Sequence, residues 1–445
     1  MIRPRMLLVV CSAVVLIPLL SVAVAMPGAS RIALTAATVY TLCVLLDLLI
    51  CLSTKRTIAI SLPPVVRCIV GDTCTVPIFI TRHHPSLRQL HCTCALPPQI
   101  RAATSIVSIT LNSEEERPTA QLQVIASTRG KFRLEGILCE YASRLGFFAL
   151  RSRHAPECEV RVYPDLRQEF RGMAAFLLYR EIDGVHARRF FGKGREFEKL
   201  REYIPGDSFE DIHWKATAKR NQPITKIFQL ERTQHIFVAI DFSRHSTAKT
   251  SLGSGQPDVA IAERYIAAAL ILANAAQRQG DCFGMCTFTE SVDALVGPGR
   301  GAHHYSICRD KLYTLNPQNL NPDYRDLAAR IRTGLKRRSL VFILTHIHDP
   351  VAAEELQAAI ELISRRHIVV VGVARDDAVQ PVFANPVTST DEIYEHLGNH
   401  LVWSRINQTR IQLRKRGVEL IQFNPATICR QIVSHYIRIK ERQIL

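Results

Sequence analysis

Two long apolar stretches lie near the N-terminus, at residues 6–26 and 32–52. The first contains no charged residue and the second contains only Asp47. Each is long enough to cross the ~30 Å hydrocarbon core of a bilayer, and Pro27-Gly28 breaks the pattern between them. We therefore expect a transmembrane helical hairpin over residues 1–56. Asp47 lies near the end of its span, where a carboxylate can reach the interface or pair inside the bundle.

Basic residues flank the hairpin on one side. Arg3 and Arg5 precede the first span and Lys55 and Arg56 follow the second, whereas only Arg31 lies between them. The positive-inside rule then predicts that both termini and the soluble region are cytoplasmic. A cleaved signal peptide is the alternative, because an Ala-Val-Ala sequence before the break resembles a cleavage site. The length of the first stretch and the second span directly after it favour the hairpin.

Short apolar stretches recur between turn signals over residues 57–165. Many of them alternate polar and apolar positions and are rich in β-branched residues, which is typical of strands. The stretches are TIAISL, TVPIFI, SIVSITL, AQLQVIAS and KFRLEGILCEYA. This spacing predicts a small β-sandwich-like domain of antiparallel strands.

A helix pattern at residues 170–190 leads into a charged segment, and residues 166–234 form a region of their own. Strand and helix patterns then alternate over residues 235–445. Apolar runs predict strands at 235–241, 283–288, 339–346, 367–373 and in GVELIQF. Helices are predicted at 257–279, 323–335, 351–366, 390–416 and up to about residue 440. Buried strands alternating with helices indicate a parallel sheet covered on both faces, which is a doubly wound α/β domain.

The chain carries 56 basic and 40 acidic residues, a net charge of +16. Such an excess suits nucleic acid, an anionic membrane or an acidic protein partner. The basic runs at 336–338 and 414–416 end predicted helices, where cations complement the helix dipole, and no groove-reading motif accompanies them. This argues against a nucleic-acid-binding protein, which we keep as the second alternative. The 13 cysteines lack the paired spacing of a zinc site and are expected to be reduced cytosolic thiols.

The first predicted strand of the α/β domain ends in Asp241, followed by Ser243 and His245. A strand ending in D-x-S-x-S opens the metal-ion-dependent adhesion site of von Willebrand factor A domains, where oxygen ligands hold magnesium. Here His245 replaces the second serine, and His346 ends the strand that should supply a further aspartate. Two imidazoles disfavour magnesium. We therefore predict a von Willebrand A-like fold with a degraded metal site at Asp241 and Ser243, and no bound cofactor.

Residues 194–220 crowd charges of both signs around Trp214 and a turn at residues 205–207. The stretches FGKGREF (191–197), LREY (200–203), PGD (205–207) and IHWKATAK (212–219) resemble the long signature of the bacterial "domain of unknown function 58" family. The resemblance extends to the paired N-terminal spans, the strand region and the C-terminal helix, so it covers nearly the whole chain. The departures are Glu210, where the family usually has arginine, and His213, where it usually has aspartate.

The resemblance implies a membrane-anchored protein with a von Willebrand A-like module, in the inner membrane of a bacterium. Genes of the family are often found beside those of MoxR-type AAA+ ATPases and transglutaminase-like proteins, and no catalytic activity is established for its members. It therefore suggests an adaptor for a MoxR-type ATPase at the cytoplasmic face, and not an enzyme.

The signature is expected to carry the interaction site. Its residues are Arg201, Glu202, Tyr203, Gly206, Asp207, Trp214 and Lys215. The charged ones are predicted to form an internal salt-bridge network that clamps the segment to the α/β domain, or to surround a docking surface, and the two roles are compatible. Trp214 is predicted at a buried edge, as the aromatic anchor of an interface.

A metal-dependent enzyme or adhesion-type module, using zinc or magnesium, is the first alternative. If the signature folds over the strand ends, His213, His245 and His346 would cluster near Asp241 and could bind zinc. The signature itself contains no Ser-His-Asp order and no phosphate-binding loop that would support catalysis.

Overall fold

In a computed structural model of the chain, the two apolar stretches form helices α1 (Met6–Ala25) and α2 (Ser30–Thr54). Both are long and apolar enough to cross a membrane, and most of their large apolar side chains are exposed. The hydroxyl oxygens of Ser12 and Tyr40 lie 2.9 Å apart and link the two helices. An apolar surface of this extent needs an apolar environment, so α1 and α2 are candidate membrane spans.

The structure describes residues 2–25, 28, 30–54, 59–82, 89–104, 106–110, 119–155, 157–173, 196–205, 207–229, 233–250, 258–347, 349–376, 378–382 and 389–442. The chain divides into two compact units, Met1–Asp165 and Leu166–Leu445. The first contains α1, α2 and a β region, and the second contains an α/β region.

Strands of the first unit form three sheets in the described part of the chain, with the orders β1-β11-β10-β5-β7, β2-β4-β8-β6 and β3-β12-β9. The strands are β1 (Ile2–Pro4), β2 (Ala59–Ser61), β3 (Val65–Ile69), β4 (Thr73–Arg82), β5 (Gln89–Ala95), β6 (Ile100–Ala102), β7 (Val107–Thr110), β8 (Thr119–Ala126), β9 (Gly130–Arg133), β10 (Gly136–Ala142), β11 (Phe148–His154) and β12 (Glu159–Tyr163). Val76, Leu90 and Val160 come from the three different sheets and lie in one hydrophobic core. β8 alternates exposed and buried positions along its length, as a strand with one face on a core requires.

Two details differ from the expected set of antiparallel strands. β3 and β12 run parallel. The stretch KFRLEGILCEYA, expected as one strand, is divided between β9 and β10, which begins at Gly136. Gly136 has a φ of 151°, and a Cβ at this position would lie 3.0 Å from the backbone oxygen of His154. A close backbone approach that only glycine permits therefore separates the two strands.

The second unit is built on a six-stranded sheet of order β19-β18-β15-β20-β21-β22, in which only the β18–β19 pair is antiparallel. Its strands are β15 (His235–Asp241), β18 (Cys282–Phe288), β19 (Val292–Gly299), β20 (Leu340–Thr345), β21 (Ile368–Ala374) and β22 (Glu419–Phe423). Two short antiparallel pairs accompany it, β13 (Glu196–Glu202) with β14 (Ile224–Gln229) and β16 (Lys249–Thr250) with β17 (Val259–Ala260).

Helices cover both faces of the six-stranded sheet. The helices of the unit are α3 (Trp214–Arg220), α4 (Ile261–Arg278), α5 (Gly301–Leu312), α6 (Tyr324–Gly334), α7 (Pro350–Ser364), α8 (Thr390–Lys415) and α9 (Ile428–Glu441). Ile236 and Val238 of β15 share a core with α4, α5 and α9, whereas Phe237 and Ala239 share a second core with α6, α7 and α8. Alternate residues of a strand point to opposite faces, so β15 is buried on both sides.

The strands and helices predicted beyond residue 235 are observed, with ends that differ by a few residues. The expected start of the helix at residue 257 lies outside the described residues. β19 and α5 were not predicted, because the sequence VDALVGPG of β19 contains two glycines and a proline and is typical of a turn. Of the helix expected at 170–190, residues 170–173 are helical and the rest lies outside the described residues.

A buried carboxylate connects α9 to the sheet. Asp281 directly precedes β18 and is almost fully buried. Its Oδ1 accepts a hydrogen bond from the Gln234 N–H at 2.9 Å. Its Oδ2 accepts one from Lys440 Nζ at 2.6 Å and another from the Tyr436 hydroxyl. Because a buried charge without partners is costly, these contacts fix the end of α9 beside the starts of β15 and β18.

Removing this carboxylate should destabilise the second unit. Asp281→Ala leaves Lys440 without its counterion and Tyr436 without its acceptor, and we expect the free energy of unfolding to fall by about 3 kcal/mol. Thermal unfolding in detergent, followed by circular dichroism, measures the change. Asp310→Ala removes a surface carboxylate paired with Arg309 and should cost about 0.5 kcal/mol or less. Equal melting temperatures for the two variants would contradict the role assigned to Asp281.

Candidate docking site

The charged segment forms a small folded module and not an open loop. β13 and β14 pair in antiparallel fashion, with Glu202 opposite Ile224. A 3-10 turn (Phe209–Asp211) and α3 lie in the connection between the two strands. The N–H of His213 donates to the backbone oxygen of Ile224 at 2.8 Å, which attaches the connection to β14. We call residues 196–229 the signature module.

An ion pair shapes the turn of the signature module. Arg201 Nη2 lies 2.7 Å from Asp207 Oδ1, and Asp207 Oδ2 accepts a 3.1 Å hydrogen bond from the Ile204 N–H. The hydrogen bond from Ile204 and the nearby guanidinium lower the pKa of the Asp207 carboxyl. Of the four residues expected to form a network, Arg201 and Asp207 are thus paired within the module. Glu202 and Lys215 are exposed, and no ion pair of either is found among the described residues.

His213 caps the N-terminus of α3. Its Nδ1 accepts a 3.0 Å hydrogen bond from the Ala216 N–H, which also lies 2.9 Å from the backbone oxygen of His213. An aspartate at an N-cap position accepts the same hydrogen bond. At the other end, Asn221 adopts a left-handed conformation with a φ of 58°. The histidine at this departure from the family pattern therefore has a structural role in the folding of the module.

Trp214 is not at a buried edge, as the sequence predicted, but is 69% exposed. It stands at the first position of α3, which projects its indole away from the module. Two other large apolar side chains of the module are also at the surface, Ile204 at 55% and Phe209 at 74%. Tyr203 is half-buried, with its ring 6.0 Å from that of Phe209. Gly206 lies outside the described residues. We call Ile204, Phe209 and Trp214 the docking residues.

The carboxyl end of β15 holds the second candidate site. Asp241 is almost fully buried, and both of its oxygens accept hydrogen bonds. Oδ1 accepts one from the Ser243 N–H at 2.8 Å, and Oδ2 accepts one from Thr345 Oγ1 at 2.6 Å. The Tyr324 hydroxyl lies 2.8 Å from Thr345 Oγ1 and extends the network into the core. Burial raises the pKa of the Asp241 carboxyl, although the hydrogen bonds from Ser243 and Thr345 oppose this shift.

These residues do not fit magnesium. The ion needs several hard oxygen ligands, whereas His245 and His346 stand at two of the positions expected to supply oxygen, and Asp241 is almost fully buried. Ser243 Oγ is buried without a hydrogen-bond partner among the described residues, and a single hydroxyl cannot complete the coordination shell. Within the described ranges no three His, Cys, Asp or Glu side chains are placed to hold a metal ion.

The histidines expected to cluster at this end have separate surroundings. His346 is buried, with its Nδ1 3.3 Å from the Tyr265 hydroxyl. His245 is half-buried beside Arg244. His213 is occupied in capping α3. The zinc site of the metal-dependent alternative is therefore not assembled in the described part of the chain.

Two groups of residues at these sites were not predicted from the sequence: the apolar residues exposed on the module and the hydrogen-bond partners of Asp241. Ile204 and Phe209 carry a signal that could have identified them, since they are apolar residues inside a charged stretch without the period of a strand or helix. Thr345 and Tyr324, the partners of Asp241, carry no such signal, because they come from β20 and α6 and only the fold brings them to the end of β15.

Comparison with known families supports the resemblance drawn from the signature. Residues 199–382 match the family model described as "Protein of unknown function DUF58". The match begins inside β13 and extends beyond β21, so it includes the docking residues and the end of β15. A search of curated proteins finds no match.

Solved structures of three bacterial proteins show limited likeness to this chain. An aerotolerance-related membrane protein from Bacteroides fragilis NCTC 9343 is 15% identical, covers 46% of this chain and 99% of its own, and has a TM-score of 0.29. The conserved hypothetical protein BatB from Bacteroides thetaiotaomicron is 14% identical over 47% and 100%, with a TM-score of 0.29. An uncharacterized membrane spanning protein from Vibrio fischeri is 12% identical over 46% and 98%, with a TM-score of 0.18. Scores of this size do not establish a shared fold.

Replacing Asp241 by asparagine should change how stability depends on pH. Because burial raises the pKa of Asp241, the folded state holds this proton more tightly than the unfolded state. The contribution of Asp241 to the free energy of unfolding therefore falls as pH rises above about 4. Asp241→Asn has no charge and should lose less stability than the wild type as pH rises from about 4 towards neutrality. Thermal unfolding across this range measures the difference, and added magnesium should shift neither melting curve. A magnesium-dependent rise for the wild type alone would show that a metal site operates there.

The hydrogen bond that caps α3 leads to a second prediction, which concerns the local stability of two variants at position 213. His213→Ala removes the side-chain acceptor of the Ala216 N–H, which then keeps only the backbone oxygen of residue 213, and should destabilise the module locally by about 1 kcal/mol. His213→Asp restores the acceptor and adds a negative charge at the helix N-terminus, so we expect stability at or above that of the wild type. Amide hydrogen exchange of residues 213–224 reports the local change. Equal exchange rates in His213→Ala and the wild type would mean that the cap contributes nothing.

Proposed function

We propose that this chain, which belongs to the DUF58 family over residues 199–382, is a membrane-anchored adaptor that binds a partner protein through its docking residues. It is placed in the inner membrane of a bacterium, with both termini and the soluble region in the cytoplasm. In this proposal residues 1–56 anchor the chain, 57–165 separate the anchor from the rest, 166–234 dock the partner and 235–445 support the docking region. The adaptor has no catalytic activity and no cofactor of its own.

The exposure of the docking residues carries the proposal. Ile204, Phe209 and Trp214 keep more than half of their surface in water, on a module whose turn and helix are held by the Arg201–Asp207 ion pair and the His213 cap. Exposed aromatic side chains on a preorganised surface are typical of the residues that contribute most to protein interfaces. Exposed charges at Glu202, Glu210, Lys215 and Lys219 can form the polar rim that such an interface requires.

The supporting domain is proposed to be a doubly wound, von Willebrand A-like fold. When the six strands of the sheet are numbered 1 to 6 in chain order, starting with β15, their order across the sheet is 3-2-1-4-5-6. This is one of the common doubly wound orders. Asp241, whose counterpart helps to hold magnesium in adhesion-type domains, is here bonded to Ser243 and Thr345, and histidines stand at two further ligand positions. Partner binding is therefore proposed to be independent of metal and to survive chelation.

A MoxR-type AAA+ ATPase is the partner that the family resemblance suggests. The test uses the full chain in detergent and a purified MoxR-type ATPase, with affinity measured by biolayer interferometry. The double variant Phe209→Ala/Trp214→Ala should weaken binding by about 30-fold or more, since two aromatic residues at the centre of an interface together contribute about 2 kcal/mol or more.

Tyr394→Ala is the matched control for this test. Tyr394 is an aromatic residue of similar exposure, 71%, on α8 and outside the signature module. Its removal should leave affinity unchanged, and neither variant should alter the melting temperature, because all three side chains are at the surface. Wild-type affinity in the double variant would overturn the docking role of Phe209 and Trp214. Absence of any binding by the wild type would overturn the choice of partner.

A further inference from the structure

The loop between β10 and β11, residues 143–147, is bonded to a carboxylate inside α2. Asp47 is fully buried. Its Oδ2 accepts a hydrogen bond from Ser143 Oγ at 2.5 Å, and its Oδ1 accepts one from the Leu145 N–H at 3.0 Å. Ser143 Oγ also accepts a hydrogen bond from the Phe148 N–H at 3.1 Å. The carboxylate that interrupts the second apolar stretch therefore holds a loop of the β region.

The same loop is in contact with the start of α1. The Arg5 N–H donates to the backbone oxygen of Phe147 at 2.9 Å, and β1, which precedes α1, pairs with β11. Gly146 has a φ of 81°, and a Cβ there would lie 3.3 Å from Leu7 Cδ2. The ring of Tyr40 in α2 lies 6.4 Å from that of Phe147. Both helices thus hold the loop at the open end of the hairpin.

These contacts set the depth of the loop relative to the two spans. The second span is Ser30–Leu52, and its 23 residues correspond to about 34 Å of helix, slightly more than the ~30 Å hydrocarbon core. Asp47 lies five residues before Leu52, which is about 7.5 Å along the helix axis. Leu7 is the second residue of α1. Asp47 and Leu7 therefore place the loop near the boundary between acyl chains and lipid headgroups, with the Phe147 ring reaching deeper beside Tyr40.

The side chains at this end suit that boundary. Leu145 is 50% exposed although its N–H is bonded to Asp47. Arg144 is exposed beside it, and Arg3 and Arg5 are exposed ahead of α1. An exposed apolar side chain next to Arg144, on a loop bonded to the segment that carries Arg3 and Arg5, matches the acyl boundary and the negative charge of the cytoplasmic leaflet.

We propose that loop 143–147 is an interfacial anchor that binds anionic phospholipid. Leu145 lies among the upper acyl carbons, while Arg144, Arg3 and Arg5 bind the headgroups. Asp47 is the positioning residue that keeps the loop at this depth. This rests on the proposed membrane anchorage of the hairpin. The β region then has two attachments to the membrane, the spans and the loop, and cannot rotate freely about the hairpin.

Tryptophan fluorescence in nanodiscs tests the depth of the loop. The chain has two tryptophans, Trp214 and Trp403, so the double replacement Trp214→Phe/Trp403→Phe gives a background free of indole. Leu145→Trp in this background should show emission shifted to shorter wavelength and a loss of intensity in nanodiscs that contain lipids brominated on the acyl chains. Leu138→Trp is the matched control, since Leu138 is 47% exposed on β10 and lies four residues before its end. That distance is about 13 Å along the strand, and its emission should not be quenched.

A third position separates failure of the loop from failure of the membrane anchor. Leu49 is an exposed residue inside the second span, and Leu49→Trp should be quenched whenever the hairpin crosses the bilayer. Quenching at position 49 without quenching at position 145 would overturn the interfacial anchor alone. Absence of quenching at both positions would overturn the membrane anchorage on which it rests.

Two further variants test positioning and charge. Asp47→Ala should reduce quenching of the indole introduced at position 145, whereas Asp47→Asn can still accept from the Leu145 N–H and should retain it. Arg144→Glu should reduce quenching in nanodiscs of phosphatidylcholine with phosphatidylglycerol, to the level found in phosphatidylcholine alone. Equal quenching in both lipid compositions, with or without Arg144→Glu, would overturn the recognition of anionic headgroups.

Discussion

A sheet that is apolar on both faces is stable only when helices cover both, and this constraint orders the second unit. β15 and β20 at its centre are buried along almost their whole length, so polar groups are confined to the strand ends. Asp241 and Thr345 lie at one end and Asp281 at the other. The signature module has only a two-stranded sheet and a short helix, which bury few side chains. Ile212 and Ile224 are buried, whereas Phe209 and Trp214 remain at the surface.

Three buried aspartates each connect segments that are distant in sequence. Asp47 binds Ser143, Asp241 binds Thr345 and Asp281 binds Lys440. In every case both carboxylate oxygens accept hydrogen bonds. Each of these carboxylates is buried and bonded to a distant segment, so the geometry assigns the three aspartates to the fold.

The sequence predicted best where a single physical pattern dominates. Runs such as those of β15 and β20 are apolar at every position, and α8 begins with a Ser389 capping box; these elements were placed to within a residue or two. β19 was missed because its glycines and proline resemble a turn, although pairing with β18 determines its structure. The exposure of Trp214 was predicted wrongly, since composition indicates what an indole prefers on average and not whether a small module has room to bury it. The partners of Asp241 depend on which strands are neighbours, and no local pattern encodes that.

The contact of α9 with Asp281 also bears on how the chain is made. α9 is synthesised after every strand of the sheet. Its Tyr436 and Lys440 nevertheless supply two of the hydrogen bonds to Asp281. Ile432 and Val433 of the same helix lie in the core that contains α4. Until α9 leaves the ribosome, this carboxylate lacks its cation, and α4 and α5 cover that face of the sheet without α9. The α/β domain can therefore complete its folding only after residue 440 has emerged, when the N-terminal helices have long been available for insertion. Membrane targeting and folding of this domain are thus separated in time by the order of the sequence itself.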